Sequence, residues 1–136
     1  MADWDDVRRL ALALPDTAEQ LSRGRPQWRV HDKLFVLDRP LRARDLDELG
    51  DAAPTGAVLG ARVESLAAKE ALLADDPSVY FTTSHFDGYP MILAVLARID
   101  PDELEELIVE AWLSRAPKRL AAKYVETHDL GGSDGV

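Results

Sequence analysis

Three histidines are the only imidazoles in the chain, and His85 alone has a carboxylate, Asp87, two residues away in a segment that reads as a loop. An imidazole beside a carboxylate is the minimum for general-base work, but His-x-Asp without a placed nucleophile completes no reaction. No Gly-x-Ser-x-Gly turn joins a strand to a helix, and there is no P-loop and no Gly-x-Gly-x-x-Gly segment. The absence of cysteine closes thiolate zinc sites, disulfides and cysteine nucleophiles. Asp3, Asp5, Asp6, Asp16 and Glu19 are hard donors suited to a cation, yet carboxylates at a helix start also complement the helix dipole. The expectation is a protein that binds rather than catalyses, with no catalytic residue, no cofactor and no metal.

Positive charge is more informative than the average suggests. The 136 residues carry 16 basic and 25 acidic side chains, a net charge of −9 that on average repels phosphate backbones. The basic residues are nevertheless segregated: Arg23, Arg25, Arg29, Lys33, Arg39, Arg42 and Arg44 share their stretch with only Asp32 and Asp38. Arg115, Lys118, Arg119 and Lys123 form a second group with no acid among them. If Arg23, Arg25, Arg29, Lys33, Lys118 and Arg119 line one surface, the chain binds DNA weakly, without sequence preference and with steep salt dependence. No helix lined with Arg, Asn and Gln is visible for base reading. The alternative is a protein-binding or small-ligand module around Trp28, Thr83, His85 and Tyr89, where polar groups cluster beside aromatics. Alternation along a strand sets Arg29 and Trp28 on opposite faces, which argues against one combined pocket; core packing is the competing role for Trp28, Tyr89 and Trp112.

The elements that must position these groups follow from periodicity. Trp4, Val7, Leu10, Ala11 and Leu14 recur at helical spacing behind Asp3, a residue suited to cap a helix that Pro15 ends. Arg23-Gly24-Arg25-Pro26 reads as punctuation before strands over 28–37 that turn at His31-Asp32. Residues 39–54 form a polar excursion with one helical turn near 45–49, followed by a strand over 57–63. Ser65 caps a short helix ending at Asp75-Asp76-Pro77, and Val79–Thr83 and Met91–Ile99 form a hairpin. Asp100, Pro101 and Glu103 make a capping box before the stripe Leu104, Leu107, Ile108, Ala111, Trp112. Pro117 opens a last helix through Val125, and Gly131–Gly135 reads as a frayed tail. This order predicts one α+β domain over 1–126 and a flexible tail over 127–136. Its single antiparallel sheet carries helices packed on one face. No apolar run reaches membrane-spanning length, so no membrane partner is expected. The acidic start, Met1 to Asp6, is unlike a signal peptide, and the expected address is the cytoplasm.

Several blocks together resemble the MmcQ/YjbR family: Leu14-Pro15, the run from Arg25 to Phe35, Asp76 to Thr83, His85 to Pro90, Ala111-Trp112, and Ala116 to Arg119. They occur in the family's order and span the chain from Leu14 to about Lys123. The resemblance implies a CyaY-like α+β fold related in shape to frataxin. It also brings the label of DNA-binding protein, which rests on fold likeness more than on a chemical motif. Residues 50–64 depart from the shorter members, and no contact is carried over onto them.

Overall fold

The computed structural model of the chain describes residues 2–133. Helix α1 (Trp4–Leu12) starts at a reciprocal capping box: the Asp3 carboxylate accepts from the Asp6 amide, and Asp6 accepts from that of Asp3, both at 3.0 Å. Asp16, in the left-handed region at φ 56, then turns the chain into strand β1 (Thr17–Ser22). The hydrophobic pattern predicts no strand there. β1 forms because the Thr17 hydroxyl ties it to the helix end, donating to the Ala11 and Leu14 carbonyls at 2.9 Å, and because it pairs with β2 along its length. Arg23-Gly24, both at positive φ, is the two-residue hairpin turn, so Arg25 and Pro26 belong to β2 (Arg25–Val30) rather than to the punctuation expected of them. His31-Asp32 turns β2 into β3 (Lys33–Asp38), as the pattern predicts.

The excursion carries helix α2 (Ala43–Leu49) and returns as β4 (Val58–Arg62). Ser65 caps α3 (Leu66–Asp75), its hydroxyl accepting the Ala68 amide at 3.1 Å. The next hairpin is shorter than expected: β5 is only Tyr80–Phe81, and β6 (Met91–Val95) gives way to a 3₁₀ turn at 96–98. α4 (Pro101–Arg115) begins at Asp100 with Pro101 in its first turn, but the expected capping box is absent. Glu103 instead accepts the Tyr80 hydroxyl, joining the helix to β5. α5 spans Lys118–Ser133, beyond the expected end at Val125; of the expected tail, residues 134–136 lie outside the described residues.

The strands form one six-stranded antiparallel sheet in the order β1-β2-β3-β4-β6-β5. One face carries the main core, where Trp28, Val36, Leu59, Ala61, Ile92 and Ala94 meet Val7 and Ala11 of α1 and Leu104, Ile108 and Trp112 of α4. Burial of each large apolar side chain here contributes about 2–3 kcal/mol, and the Trp112 indole is further tied to the Pro15 carbonyl at 3.1 Å. Partly buried Leu72 and Leu73 of α3 pack against the same core. On the reverse face a smaller cluster of Val58, Phe86, Met91 and Leu93 is covered by Leu41 of the excursion and by the loop over 84–90. That cover stops short of β2 and β3, where Gln27, Arg29, Leu34 and Leu37 are only half-buried.

Candidate functional site

The partly covered reverse face holds a groove of about 570 Å³. Leu34, Leu37 and Met91 form its floor, Arg39 and Arg42 one wall, and the loop from His85 to Tyr89 the other. Gly60 lies opposite Leu37 in the register, and a Cβ there would stand 2.7 Å from Leu37 Cδ2, so glycine lets that floor residue lie down on β4.

Both walls are fixed by buried polar contacts. Lys69 of α3, 5% exposed, donates to the carbonyls of Phe86 (2.7 Å) and Tyr89 (3.0 Å). Burial lowers its pKa, with Asp87 and Glu70 opposing that shift. Glu48 of α2 holds the start of the loop, accepting the Ser84 amide at 3.0 Å and its hydroxyl at 2.6 Å. Arg39 is buried against Asp45 at 3.1 Å, with its guanidinium carbon 5.2 Å from the Phe86 ring centroid. Asp45 also accepts the Arg42 amide at 2.9 Å. Burial pushes the Asp45 carboxyl up, but the Arg42 amide, the charge and hydrogen bond of Arg39 and the adjacent Thr83 hydroxyl outweigh it, and the net shift is downward.

A second group of cations stands at the end of the sheet beside Leu34. Arg62 donates through Nη1 to the Tyr89 hydroxyl (3.0 Å) and through Nε to the Pro90 carbonyl (3.2 Å), with its guanidinium carbon 4.8 Å from the Tyr89 ring centroid. Arg115, at the last turn of α4, donates to the Leu34 carbonyl at 3.2 Å; burial and then the charge of Arg62 act to lower its pKa. Arg29 donates to the Asp32 carbonyl at 2.8 Å, and its Nε is buried without an acceptor among the described residues. None of Arg29, Arg42, Arg62 and Arg115 has a carboxylate within 4.0 Å among the described residues. One carboxylate, the exposed Asp87, lines the groove, and a larger group, Asp75, Asp100, Asp102, Glu103, Glu106 and Glu110, lines the cleft between α3 and α4.

The six cations expected to share a surface divide between the ends of the β2–β3 hairpin. Arg23 and Arg25 are exposed at one end, where Arg25 pairs with Asp38 at 3.3 Å. Lys33 is exposed at the other end. Five residue steps of β2 separate those ends by about 17 Å. Lys118 and Arg119 are exposed at the start of α5, just beyond Arg115. Arg29 lies on the open face. Arg42 stands with Arg23 and Arg25 at the first end, Arg62 and Arg115 stand at the second beside Leu34, and Arg39 is buried against Asp45. Arg62 escaped notice because it stands alone in sequence, although its place in the alternation of β4 with Val58 and Gly60 assigns it to the reverse face.

The alternative set, Trp28, Thr83, His85 and Tyr89, does not form one pocket. Trp28 is fully buried in the main core, stacked on Trp4 at 6.4 Å and donating to Glu19 at 3.0 Å. Thr83 is buried beside Asp45, while His85 and Tyr89 line the groove. The carboxylates considered for a cation have other partners: Asp3 and Asp6 cap α1, Asp16 meets His31 at 2.8 Å, and Glu19 meets Arg8 at 2.8 Å. No group of three or more metal-ligating side chains, and no helix long and apolar enough to cross a membrane, occurs among the described residues.

A family model described as YjbR matches residues 12–114. The chain is 50% identical over 128 residues to the uncharacterised proteins Rv2570 of Mycobacterium tuberculosis and Mb2600 of Mycobacterium bovis, covering 92% of this chain and 97% of each relative. The crystal structure of Deinococcus radiodurans protein DR2400, with a DUF419 domain, superposes with a TM-score of 0.62 over 83% of this chain and 78% of that one. At 18% sequence identity that likeness concerns the fold alone.

Proposed function

This chain belongs to the YjbR family, and from that premise we propose that it is a non-catalytic nucleic-acid-binding protein that lays a phosphate backbone along the half-covered sheet face without reading sequence. One observation carries the reading: Arg29, Arg42 and Arg62 stand on that side, and Arg115 at the end of the sheet beside Leu34, none with a carboxylate partner among the described residues, while the acids of α3 and α4 line a cleft on the helix side. The helix layer and the sheet together are on the order of 20 Å thick, about two Debye lengths at 0.1 M salt, so the cleft's carboxylates act only weakly on a backbone on the far side. A ligand on this face therefore meets chiefly the face's own charges rather than the net −9.

The test is fluorescence anisotropy with labelled single-stranded and duplex oligonucleotides across a salt series. Four phosphate contacts predict a slope of log affinity against log salt of roughly −3 for a single strand and −4 for a duplex, a loss of roughly 50- to 150-fold between 50 and 200 mM. Removing Arg42 and Arg62 as alanines flattens the slope by about one per residue, equally for unrelated sequences. Absence of binding at 50 mM salt, or a slope near zero, overturns the reading. Salt-indifferent capture of a small molecule or protein would favour the alternative module, which retains His85 and Tyr89 but not Trp28.

A further inference from the structure

The reverse face is not uniformly basic, and the end beside Leu34 differs from the rest. Arg29 sits directly across from Leu34 in the β2–β3 register, so both side chains leave the same side of the sheet. Arg115 crosses 81 residues of sequence to reach the Leu34 carbonyl, and Arg62 lies within Coulombic range of it, beside Tyr89. Arg29 thus faces Leu34 across the ladder, Arg115 holds the Leu34 carbonyl and Arg62 acts on Arg115, each tethered by neutral acceptors: the Asp32 carbonyl, the Leu34 carbonyl, and the Tyr89 hydroxyl with the Pro90 carbonyl. Like charges held together without a counter-charge repel, and a bound anion relieves that repulsion. The tethers engage Nη1 of Arg29, Nε of Arg115, and Nε with Nη1 of Arg62. The remaining terminal N–H groups are left for an anion in the forked geometry that guanidinium offers to phosphate.

We infer that Arg29, Arg62 and Arg115 form a cradle for a single phosphate group, with the Tyr89 hydroxyl at its rim. Three positive charges match a phosphate monoester, which carries −1.5 to −2 at neutral pH, better than the single charge of an internal phosphodiester. The preferred ligand is thus a terminal phosphate, as on a mononucleotide or a 5′-phosphorylated strand, rather than a phosphate within the backbone. The inference rests on the reading of this face as the nucleic-acid surface, and it refines where on that face the charge is concentrated.

Its test has two arms on the intact chain. In the first, inorganic phosphate is titrated at constant ionic strength against sodium chloride while the arginine Nε–H resonances are followed by NMR. Saturable shifts confined to Arg29, Arg62 and Arg115 and absent with chloride are expected, and R62Q with R115Q abolishes them. R62K with R115K, which keeps the charge but loses the fork, weakens phosphate binding by at least several-fold, a result that charge alone would not produce. In the second arm, a 5′-phosphorylated oligonucleotide is compared with its 5′-hydroxyl twin, and about tenfold tighter binding is expected for the phosphorylated strand. Phosphate shifts no larger than those with chloride, or equal affinity of two strands that both bind, overturn the cradle. If the 5′-hydroxyl strand still binds with a steep salt slope, the function proposed above stands without the cradle. If phosphate binds and neither strand does, the cradle stands and that function falls.

Discussion

Asp45 is where the fold and the groove are most tightly coupled, and its removal has a calculable consequence. Its side chain is 5% exposed and that of its partner Arg39 is 8% exposed, so the pair is buried. Asp45→Asn keeps the shape and an acceptor for the Arg42 amide, but leaves the Arg39 guanidinium without its counter-charge. Breaking a buried pair by removing one partner costs about 3–5 kcal/mol. The Phe86 ring under Arg39 offsets up to about 2 kcal/mol of that, so a loss of roughly 2–4 kcal/mol is expected. With a urea m-value of about 2 kcal/mol/M the unfolding midpoint falls by roughly 1–2 M. Because the pair couples two partners, Arg39→Met with Asp45→Asn is expected to lose less than the sum of the single changes. Additivity within about 0.5 kcal/mol would refute the coupling. The pH dependence has a definite sign. The folded Asp45 pKa is lowered, so its contribution is complete above the unfolded carboxyl value of about 3.9 and disappears as pH falls through the folded value. Wild-type stability therefore drops in that acidic window, and Asp45→Asn drops less; parallel pH profiles for the two proteins would sink the assignment.

Two further substitutions probe the loop and the turns. Lys69→Met removes two charge-assisted bonds but also relieves burial of an ammonium, and the Phe86 and Tyr89 carbonyls retain donors in the Tyr89 and Met91 amides. The net global loss is about 1–2 kcal/mol. Amide exchange across 84–90 accelerates well beyond that of α4, and uniform change across the chain would contradict a latch at that loop. Asp32→Gly relaxes a left-handed residue at φ 66 in the β2–β3 turn while keeping the carbonyl that accepts from Arg29. It is expected to raise stability by about 0.5–1 kcal/mol, read as roughly 2–4 °C in Tm.

The helices were legible wherever local chemistry dictates them. Asp3 with Asp6, Ser65 before α3, and Asp100-Pro101 before α4 are short-range signals, and the apolar stripe of α4 buries as its spacing predicts. β1 was not legible because it buries almost nothing of its own: Leu21 is 71% exposed, and the strand exists through its pairing with β2. Glu103 satisfied every local rule for a capping box and was drawn away by the Tyr80 hydroxyl, a tertiary partner that no window of sequence reveals. The hairpin of β5 and β6 was read too long for a similar reason. Thr83 leaves the ladder to sit beside Asp45, and the chain beyond Val95 curls into a 3₁₀ turn.

The groove was half visible. Alternation alone separates Trp28 from Arg29, but which of the two faces a core depends on where α1 and α4 dock. Once those helices claim the Trp28 side, Arg29 is left on the side they do not cover. Three of the four unpaired arginines, Arg29, Arg42 and Arg115, belong to the two basic groups visible in the sequence, whereas Arg62 arrives alone from β4. Net charge misled for the same reason. Five of the 25 carboxylates, Asp102, Glu103, Glu105, Glu106 and Glu110, sit on α4, the helix whose opposite side forms the core, so the packing that hides Trp112 also fixes where that share of the negative charge lies. A chain of net −9 can therefore present a cationic patch where arginines without carboxylate partners outnumber the acids beside them. Substitutions that loosen α4 from the sheet should accordingly weaken any anion binding even when every arginine is intact, and Leu104→Ala, at an expected cost of about 2–5 kcal/mol far from the groove, separates this dependence from direct contact.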